Sequence, residues 1–472
     1  MKNPIKKILA SIILLTAFSL AVKAQSTNVS GGIYSNTTWT LANSPYIVTD
    51  TVVVFPGVTL TIEPGVVVKF DDDVRLEIRQ ASIIAQGTVA DSITFTSNAA
   101  SPTAGIWSEI LLNDCPNITF NHCSFRYATT AIRSYNVSVN GILIVKNSNF
   151  NNNSYGIDRA GNNDEILVDT CNFNNNIIYG IGSDSQFGGI INYCNFTFNQ
   201  IGIQRFGDGA NYSSIIKNCT LKQNNMGIFS LWRARVENCT INNNNQDGIS
   251  DNAESTIINC IIDSNDIGVV LADSILNCEI KYNNIGISVL HGGSIIKNII
   301  EDNNIGIKKF YGSQGSILCN KICNNTSYDF YYNVTQGSNI SIPNNYWCST
   351  DSATIASHIY DGYDNINLGL VNFMPIDTLS CYLITENPRN YFEPFSFNVY
   401  PNPAFDNLTL KFTQNTPKAT IKIYNLLGEL KSTSMISHQE AKINISDLSN
   451  GLYILEAATE NGIMRQKFIK RY

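Results

Sequence analysis

Residues 218–249, NCTLKQNNMGIFSLWRARVENCTINNNNQDGI, contain one phrase twice and decide the fold. In each copy an Asn-Cys-Thr sequence precedes an aliphatic residue, and a Gly-Ile step follows after several polar residues. Aligned on Cys219 and Cys239, equivalent copies extend over much of the chain at intervals of 18 to 25 residues. Repeats of this length are typical of solenoids, in which each repeat adds one unit to a continuous core.

The repeat is defined by an anchor position that is Cys, Ser or Asn. The anchors are Cys123, Ser148, Cys171, Cys194, Cys219, Cys239, Cys260, Cys278, Asn298 and Asn320. Two residues after each anchor, and three residues before it, every copy has Phe, Val, Ile or Leu, so both positions are predicted to face the core. Because side chains on a strand alternate with a period of two, positions five apart can both face inward only if a corner separates them.

Asn and Gly are predicted to form the turns. The residue before the anchor is Asn in half of the copies, and Asn tolerates the left-handed conformation that such a corner requires. Five residues after the anchor, Asn recurs in nine copies and is predicted to form a ladder of stacked amides, one per coil. Gly follows three or four residues later, and there we expect a tight turn that opens the next strand.

The composition of the repeats excludes helical solenoids. Short β-branched segments and runs of Asn oppose helix formation and favour strands with tight turns. Leucine-rich repeats would need leucine columns, whereas these columns are Ile, Val and Phe. The predicted fold is therefore all-β, with a parallel β-helix over residues 25–382.

Two further segments resemble a known family. Pro64-Gly65, Gln86-Gly87-Thr88 and Ile93-Thr94-Phe95 resemble the opening coils of exported right-handed parallel β-helix proteins of the pectate-lyase-like superfamily. Residues 345–375, from Asn345-Tyr346-Trp347 to Pro375, resemble their closing coil. The resemblance covers about residues 52–377 and implies a right-handed solenoid. Its motifs specify the fold and not an activity.

Both ends of the chain differ from the repeats. Residues 1–24 combine Lys2, Lys6 and Lys7 with an apolar run, which predicts a secretory signal peptide. A linker is predicted at residues 383–395. Beyond it, Tyr400-Pro401-Asn402-Pro403, Leu448-Ser449-Asn450-Gly451-Leu452-Tyr453 and the basic ending resemble the C-terminal sorting domain of the type IX secretion system, here residues 396–472.

The second resemblance implies a small β-sandwich and a cellular route. The implied partner of residues 396–472 is the type IX secretion machinery of a Gram-negative bacterium of the Bacteroidetes group. The product is expected to be secreted or attached to the outer-membrane surface after transit through the periplasm. A formal charge of −7 and a pI near 5.2 argue against a nucleic-acid partner. No later apolar run is long enough for a transmembrane segment.

The cysteines are interpreted mainly as core residues. The seven anchor cysteines are predicted to stack inside the coils as buried reduced thiols, because successive coils offer one sulfur each and zinc needs clustered ligands. No metal site and no cofactor are predicted, and calcium is expected only if the protein is a lyase. Cys319 with Cys323, or Cys348 with Cys381, could form disulfides, and the pairing of these four residues and Cys115 stays open.

The candidate binding residues come just after the Gly-Ile step. We call them the charged strip: Asp158, Arg159, Asp184, Arg205, Phe206, Trp232, Arg233 and Asp251. They are predicted to point outward, with Arg205, Trp232 and Asp251 in line, so that a glycan could stack on the rings. The alternative is an ordinary solvated row of loop residues. Asp71-Asp72-Asp73 is interpreted in the same way, as a solvated turn rather than a calcium site.

Two functional hypotheses remain. One is a non-catalytic glycan-binding or adhesive module. The other is a polysaccharide lyase or glycoside hydrolase that acts on acidic polysaccharide. The Gly-His-Gly and Arg-Ile-Lys phrases expected of related glycosidases are missing, and His291-Gly292-Gly293 is a poor substitute, which favours the first hypothesis. Fold alone does not decide between them.

Overall fold

A computed structural model of the protein describes residues 26–116, 118–137, 142–160, 165–185, 187–207, 214–270, 273–289, 293–310, 315–335, 338–378, 397–412, 419–425, 430–436, 438, 440–459 and 462–471. The chain divides into two compact units, residues 1–385 and 386–472. The first is a right-handed parallel β-solenoid of about 12 turns, and the second consists of antiparallel sheets. The predicted signal peptide and the predicted linker, residues 383–395, lie outside the described residues.

Each regular coil of the solenoid contributes one strand to each of three parallel sheets. Sheet 1 precedes the anchor, sheet 2 lies between the anchor and the Asn column, and sheet 3 follows the Asn column. Sheet 1 consists of Thr37–Trp39, Thr59–Ile62, Ser82–Gln86, Ile118–Asn121, Ile142–Lys146, Glu165–Asp169, Gly188–Asn192, Ile215–Lys217, Arg235–Glu237, Thr256–Ile258, Ser274–Leu276, Ser294–Ile296 and Ile317–Leu318.

Sheets 2 and 3 are joined in the first coils, where Thr27–Ile33 and Tyr46–Val54 span both. Sheet 2 continues with Val67–Phe70, Ile93–Ser97, Cys123–Arg126, Asn149–Asn151, Asn172–Asn174, Asn195–Thr197, Thr220–Lys222, Thr240–Asn242, Ile261–Asp263, Glu279–Lys281, Ile299–Glu301 and Lys321–Cys323. Sheet 3 continues with Leu76–Arg79, Trp107–Cys115, Ala128–Val137, Tyr155–Arg159, Tyr179–Gly182, Ile201–Gln204, Met226–Trp232, Asp247–Ala253, Ile267–Val270, Ile285–Val289, Ile305–Lys309, Tyr328–Tyr332 and Ile359–Tyr360.

The core consists of the columns predicted from the repeat. Both apolar columns around the anchor are buried in every copy, and the Phe rings of the second column stack directly on one another. The Phe150 and Phe173 ring centroids are 4.6 Å apart, and those of Phe173 and Phe196 are 4.8 Å apart. This stacking confirms the inward orientation of the column, and it extends a single apolar core along the solenoid.

The two corners beside sheet 2 share one backbone conformation, a residue with a positive φ. The residue before the anchor has a positive φ whether it is Asn218, Thr170, Tyr193 or Lys297. The residue before each Asn of the second corner does so too, as at Asn243 and Tyr282. The predicted left-handed corner is therefore confirmed, and it does not require Asn.

The Asn corner forms the predicted ladder of buried amides. Asn244 represents it: its Oδ1 accepts the backbone N–H of Asn224 at 3.0 Å and the Nδ2 of Asn224 at 3.1 Å. Its own Nδ2 donates to the Leu221 carbonyl at 3.2 Å and to Asn265 Oδ1 at 2.9 Å. Both donors and both acceptor sites of the buried amide are thus satisfied. The ladder ends at Asp329, whose Oδ1 accepts from Asn325 Nδ2 at 2.8 Å.

The Cys corner has the same arrangement with weaker donors and acceptors. Cys239 is buried, and its Sγ lies 3.3 Å from the Glu237 carbonyl and 3.8 Å from the Ile216 carbonyl. The Cys219 Sγ accepts from the Cys194 N–H at 3.4 Å, as an Asn Oδ1 does in the other corner. From Asn298 onward, Asn replaces Cys in this column, and the Cys278 N–H donates to Asn298 Oδ1 at 2.8 Å.

The Gly column does not form the tight turn that we predicted. Gly248 belongs to the strand Asp247–Ala253 and has no positive φ. A Cβ on Gly248 would lie 2.7 Å from the Gly268 carbonyl oxygen and 3.1 Å from Asn265 Nδ2. These glycines are therefore required by the close approach of successive coils beside the Asn ladder, because any side chain would separate the coils.

The cysteine predictions are partly confirmed. The anchor-column cysteines are buried free thiols, and burial raises the pKa of Cys123 to about 12. Cys115 is also a buried free thiol. Cys323 forms a disulfide with Cys348, so the suggested pairings of Cys323 with Cys319 and of Cys348 with Cys381 are wrong. Sequence spacing could not show this, because Cys323 and Cys348 become neighbours only in the closing coil. Cys381 lies outside the described residues.

The solenoid contains little else. A short 3-10 helix, Leu41–Asn43, lies near its start, and one α-helix, Ser352–Ser357, begins where the Asp351 carboxylate accepts from the Thr354 N–H at 3.0 Å. A two-stranded sheet pairs Ile340–Ser341 with Val371–Asn372. The described residues of the solenoid thus contain little helix, as predicted.

The C-terminal unit is a small antiparallel structure with its own core. One sheet contains Phe397–Tyr400, Asn407–Phe412 and Glu440–Asn444, and the other contains Leu430–Ile436, Ala419–Asn425, Gly451–Thr459 and Gly462–Lys470. Leu410, Ile421, Leu455 and Phe468 are fully buried. The β-structure implied for the tail is confirmed, and it consists of two antiparallel sheets.

Candidate functional site

The outer face of sheet 3 differs from an ordinary solvent-facing sheet because most of its side chains are apolar or aromatic. One row runs across successive coils at the position directly before the Gly column and its equivalents: Tyr155, Tyr179, Ile201, Met226, Asp247, Ile267, Ile285, Ile305 and Tyr328. All of them except Tyr179 are partly exposed. Charged or polar side chains are the usual occupants of such positions.

The N-terminal end of this face is a network of charges. Arg133 Nε lies 3.1 Å from Glu109 Oε2 and 3.2 Å from Asp158 Oδ2, although these three residues belong to three successive coils. Tyr179 donates from its hydroxyl to Asp158 Oδ1 at 2.7 Å. Earlier in the face, Glu77 accepts from Arg79 Nε at 2.6 Å. Carboxylates and guanidinium groups therefore alternate along the sheet.

Burial changes the proton affinity of this network. Burial raises the pKa of Asp158, and the Tyr179 hydrogen bond and the Arg133 charge oppose the rise. Burial and the neighbouring Asp158 raise the pKa of Tyr179. Glu77 behaves in the opposite way, because its hydrogen bond with Arg79 lowers its pKa. Burial therefore makes Asp158 more able to hold a proton than an exposed carboxylate would be.

The C-terminal end of the face is a cluster of tyrosines. The Tyr331 and Tyr360 rings are parallel, with centroids 4.5 Å apart and an interplanar angle of 2°. Tyr328 packs edge-on against both rings. The Lys308 ammonium group lies 5.4 Å from the Tyr331 ring centroid, so a cation borders the cluster.

Comparisons with known proteins agree with this architecture. The family model described as right handed beta helix region matches residues 159–297. The model described as secretion system C-terminal sorting domain matches residues 398–471. The chain is a right-handed β-helix protein with a type IX sorting domain. A search of curated proteins finds no match to its sequence.

Solved structures similar to this β-helix protein share little of its sequence. The periplasmic alginate epimerase AlgG is 12% identical, with a TM-score of 0.32, over 70% of this chain and 77% of that chain. The A-module of the Azotobacter vinelandii mannuronan C-5 epimerase AlgE4 is 12% identical, with a TM-score of 0.29, over 75% and 90% of the two chains. Tailspike protein 2 of bacteriophage CBA120 is 11% identical, with a TM-score of 0.25, over 95% and 77%.

The sorting domain indicates secretion or attachment to the cell surface. In the described parts of the chain, no helix is long and apolar enough to cross a bilayer. The sorting domain thus implies that the type IX secretion machinery handles the β-helix protein.

The charged strip is only partly at the surface of the β-helix protein. Arg159, Phe206 and Asp251 are fully buried, which contradicts the expectation that they point outward, whereas Asp158 lies on the outer face of sheet 3 but is nearly buried by its neighbours there. Asp251 accepts from Ser255 Oγ at 2.8 Å inside the third corner of its coil, which joins the sheet 3 strand to the next sheet 1 strand. Burial, partly opposed by the neighbouring Asp158, lowers the pKa of Arg159 to about 10.

The expected alignment within the strip is also wrong. Asp251 pairs with Leu231, while Trp232 pairs with Ala253 across shifts in register. The Arg205 N–H donates to the Phe229 carbonyl, so Arg205 is out of line with both. The strand leaves sheet 3 at this corner, and the alternation of inward and outward side chains ends there.

Four strip residues remain accessible. Asp184 is exposed, and Arg205, Trp232 and Arg233 are partly exposed. Arg205 donates to the Asp184 carbonyl, and Arg233 Nε lies 2.9 Å from Glu254 Oε2. The structure thus brings Asp184 and Arg205 together at the third corner, with Trp232 and Arg233 on the next coil.

The two side-chain clusters on sheet 3 that most resemble a binding site were not identified from the sequence. Glu109, Arg133 and Tyr179 form the charged end, and Tyr331 and Tyr360 form the tyrosine end. One signal was available, because the residue before the Gly column is apolar or aromatic in nearly every copy. In the described parts of the chain, no group of three or more His, Cys, Asp or Glu could hold a metal ion. Asp71 accepts from Asn98 Nδ2 at 2.8 Å in its turn.

Proposed function

We propose that the exported solenoid is a non-catalytic glycan-binding or adhesive module, and that its ligand lies along the outer face of sheet 3. The observation that carries this proposal is the row of nine equivalent positions from Tyr155 to Tyr328, in which every side chain except Asp247 is aromatic or aliphatic and every one except Tyr179 is partly exposed. Sugars present apolar faces together with hydroxyl edges, and tyrosine offers the same combination of an apolar body and a polar tip.

The spacing of the coils supports an extended ligand. Equivalent side chains recur at one strand spacing, roughly 4.8 Å. An extended polysaccharide could therefore meet the same kind of side chain repeatedly along the axis of the solenoid. Many weak contacts of this kind add up, because each one after the first is effectively intramolecular.

The accessible strip residues extend this surface. Trp232 is the last residue of the sheet 3 strand Met226–Trp232 and is partly exposed, so it offers a ring at the opposite end of this strand from Met226. Arg205 and Asp184 lie on the preceding coils and offer hydrogen-bonding groups beside it. Arg159, Phe206 and Asp251 take no part, because their side chains are buried.

A tyrosine substitution tests this proposal. The full chain would be passed over affinity gels of neutral and acidic polysaccharides, and the bound fraction would be compared with that of Tyr331→Ala. Loss of the ring is expected to weaken binding by about 1 to 3 kcal/mol, as for other aromatic anchors. Trp232→Ala is expected to have a smaller effect in the same direction.

The matched control is Asn195→Ala, on the exposed outer face of sheet 2. It should leave retention unchanged. If the parent is retained and Tyr331→Ala is retained equally well, sheet 3 is not the binding face. If no polysaccharide retains the parent, the glycan proposal is wrong.

The charged end of sheet 3 favours a second candidate, a lyase or glycoside hydrolase that acts on acidic polysaccharide. Glu109 and Asp158 both contact Arg133 Nε and are equally buried, and Asp158 also accepts a hydrogen bond from the Tyr179 hydroxyl. Glycosidases use such a pair, one protonated and one ionised. Incubation with uronate-rich polysaccharides, with and without calcium, would detect unsaturated products by ultraviolet absorbance or new reducing ends. Any activity should disappear in Asp158→Asn.

A further inference from the structure

The two sheets of the sorting domain have outer faces of opposite character. On the three-stranded sheet, the outward side chains include Thr409, Lys411, Glu440 and Lys442, and Lys411 Nζ pairs with Glu440 Oε2 at 3.2 Å. This is the polar outer face expected of an antiparallel sheet with one side in water. The four-stranded sheet departs from that pattern.

On the four-stranded sheet, several neighbouring outward strand positions are occupied by large apolar side chains. Tyr453 and Leu455 point into the core, so the intervening Leu452 and Ile454 face outward and are partly exposed. Leu452 pairs with Ile469, and Ile454 pairs with Tyr424. These four side chains therefore lie together across three neighbouring strands.

Two more exposed side chains border this group. The Ala404 N–H donates to the Ile469 carbonyl at 2.8 Å, which places Phe405 beside the last strand. Leu430 pairs with Tyr424 on the opposite side. Phe405 is 56% exposed and Leu430 is 52% exposed. We call the whole group the tail patch: Phe405, Tyr424, Leu430, Leu452, Ile454 and Ile469.

The edge of the tail patch is basic. Lys467 pairs with Ile454 on the neighbouring strand and is exposed, and Lys422 lies two residues before Tyr424 on the same face. The acidic side chain next to them, Glu456, is nearly buried and contacts the Tyr424 hydroxyl at 3.4 Å. A partner that fits this surface would have an apolar pocket bordered by carboxylates.

We propose that the tail patch is the surface by which a protein of the type IX secretion machinery recognises this chain. A sorting domain must be bound during export, and contiguous apolar groups on a small soluble domain usually mark an interaction site. The polar outer face of the three-stranded sheet lacks this property. The inference rests on the sorting domain and is independent of the glycan proposal.

The test uses the full chain expressed in a bacterium that has type IX secretion. Phe405→Ser and Leu430→Ser are combined, because both side chains are more than half exposed and their loss should leave the domain folded. The fraction of the protein that reaches the cell surface or the medium is measured against the fraction retained in the periplasm. At least a tenfold fall in the exported fraction is expected.

The matched control is Met435→Ser. Met435 is 74% exposed on the same sheet but pairs with Thr420, away from the tail patch, so export should be normal. Lys467→Glu tests the basic edge and should reduce export while leaving the apolar side chains intact. Resistance of the retained protein to mild proteolysis shows that the tail is folded.

Three results would overturn the proposal: normal export of the folded double variant, an equal loss of export for Met435→Ser, or self-association of the chain through the patch in place of binding to the machinery. Analytical ultracentrifugation of the parent and of the double variant distinguishes the last case. Binding of the purified chain to polysaccharide should be the same in all variants, so this test and the glycan test fail separately.

Discussion

The two corners that flank sheet 2 solve one geometric problem with different chemistry. Both have a left-handed residue followed by a small side chain that points into the coil. In one corner that side chain is Asn, and each amide makes four hydrogen bonds with neighbouring coils, as at Asn244. In the other it is mostly Cys, whose thiol offers one weak donor and one weak acceptor.

The difference shows that the shape of a corner and its contribution to the stability of the solenoid are separate properties. The backbone turns in the same way beside Cys239 and beside Asn244, so the shape does not depend on the ladder. The contribution of a corner to stability does depend on the ladder, because an amide ladder gives buried backbone N–H groups good acceptors, whereas sulfur is a poor acceptor. Four experiments should separate the two contributions.

The largest effect is expected for Asn244→Ala. The change removes the acceptor of the Asn224 N–H and Nδ2 and the donor to the Leu221 carbonyl and Asn265 Oδ1, so buried hydrogen bonds are lost to both neighbouring coils. We expect a loss of about 3 to 5 kcal/mol, since each unsatisfied buried group costs about 1 to 3 kcal/mol. Urea unfolding followed by circular dichroism measures it. Cys239→Ala, in the same coil, should cost only about 1 kcal/mol, and equal losses for the two variants would refute the distinction.

Gly248→Ala should be the next most disruptive change. The added methyl group meets the Gly268 carbonyl and the Asn265 amide, and the amide cannot move without breaking its ladder hydrogen bond to Asn283. A loss of about 2 to 4 kcal/mol is expected, comparable with other overpacked or strained core sites. Hydrogen exchange should show the damage in the coils of Asn244 and Asn265. Uniform exchange along the solenoid would mean that the Gly column is not a packing requirement.

A pH titration distinguishes the corners in another way. The folded pKa of Cys123 is raised by burial to about 12, well above that of an unfolded thiol. The folded state therefore binds more protons at alkaline pH, so stability is complete below the unfolded pKa and falls as pH rises above it. The slope approaches about 1.4 kcal/mol per pH unit for each thiol. Cys123→Ala should reduce this slope. Asn153→Ala should lower the stability at every pH and leave the slope unchanged.

The smallest effect is expected for Cys278→Asn. Asn298, Asn320 and Asn345 already form an amide ladder in the continuation of the Cys column, so the new Asn would extend it by one coil. Its Nδ2 could donate to Asn298 Oδ1, and stability should stay within about 1 kcal/mol of the parent. A larger loss, measured by the same urea unfolding, would show that the upper part of the Cys column has room only for sulfur.

The sequence predicted the columns well because they depend on period alone. The inward Phe and Ile positions, the left-handed corners and the Asn ladder all follow from counting residues from the anchor. The role of the Gly column does not, because contact between coils cannot be read along a single chain. A Gly that permits close approach looks the same in sequence as a Gly that permits a turn.

The candidate site was predicted poorly for a related reason. The charged strip begins where each coil leaves sheet 3, and the register shifts there between Ile228 and Leu231 and again before Trp232. The strip was predicted to point outward because its residues come just after the Gly-Ile step, and this prediction is wrong for Arg159, Phe206 and Asp251. The row that ends at Tyr328 lies before the shift, where alternation holds, and it could have been predicted from the residue that precedes each Gly.

The shared backbone conformation of the corners affects how the number of coils can change during evolution. A corner that accepts Asn, Thr, Tyr or Lys before its inward residue lets a whole coil be duplicated or deleted without repair of its neighbours. Each duplication of about twenty residues would lengthen the outer face of sheet 3 by roughly 4.8 Å. Coil number could therefore change the length of the surface in fixed increments during evolution, while the closing coil with its Cys323–Cys348 disulfide stays the same at the end.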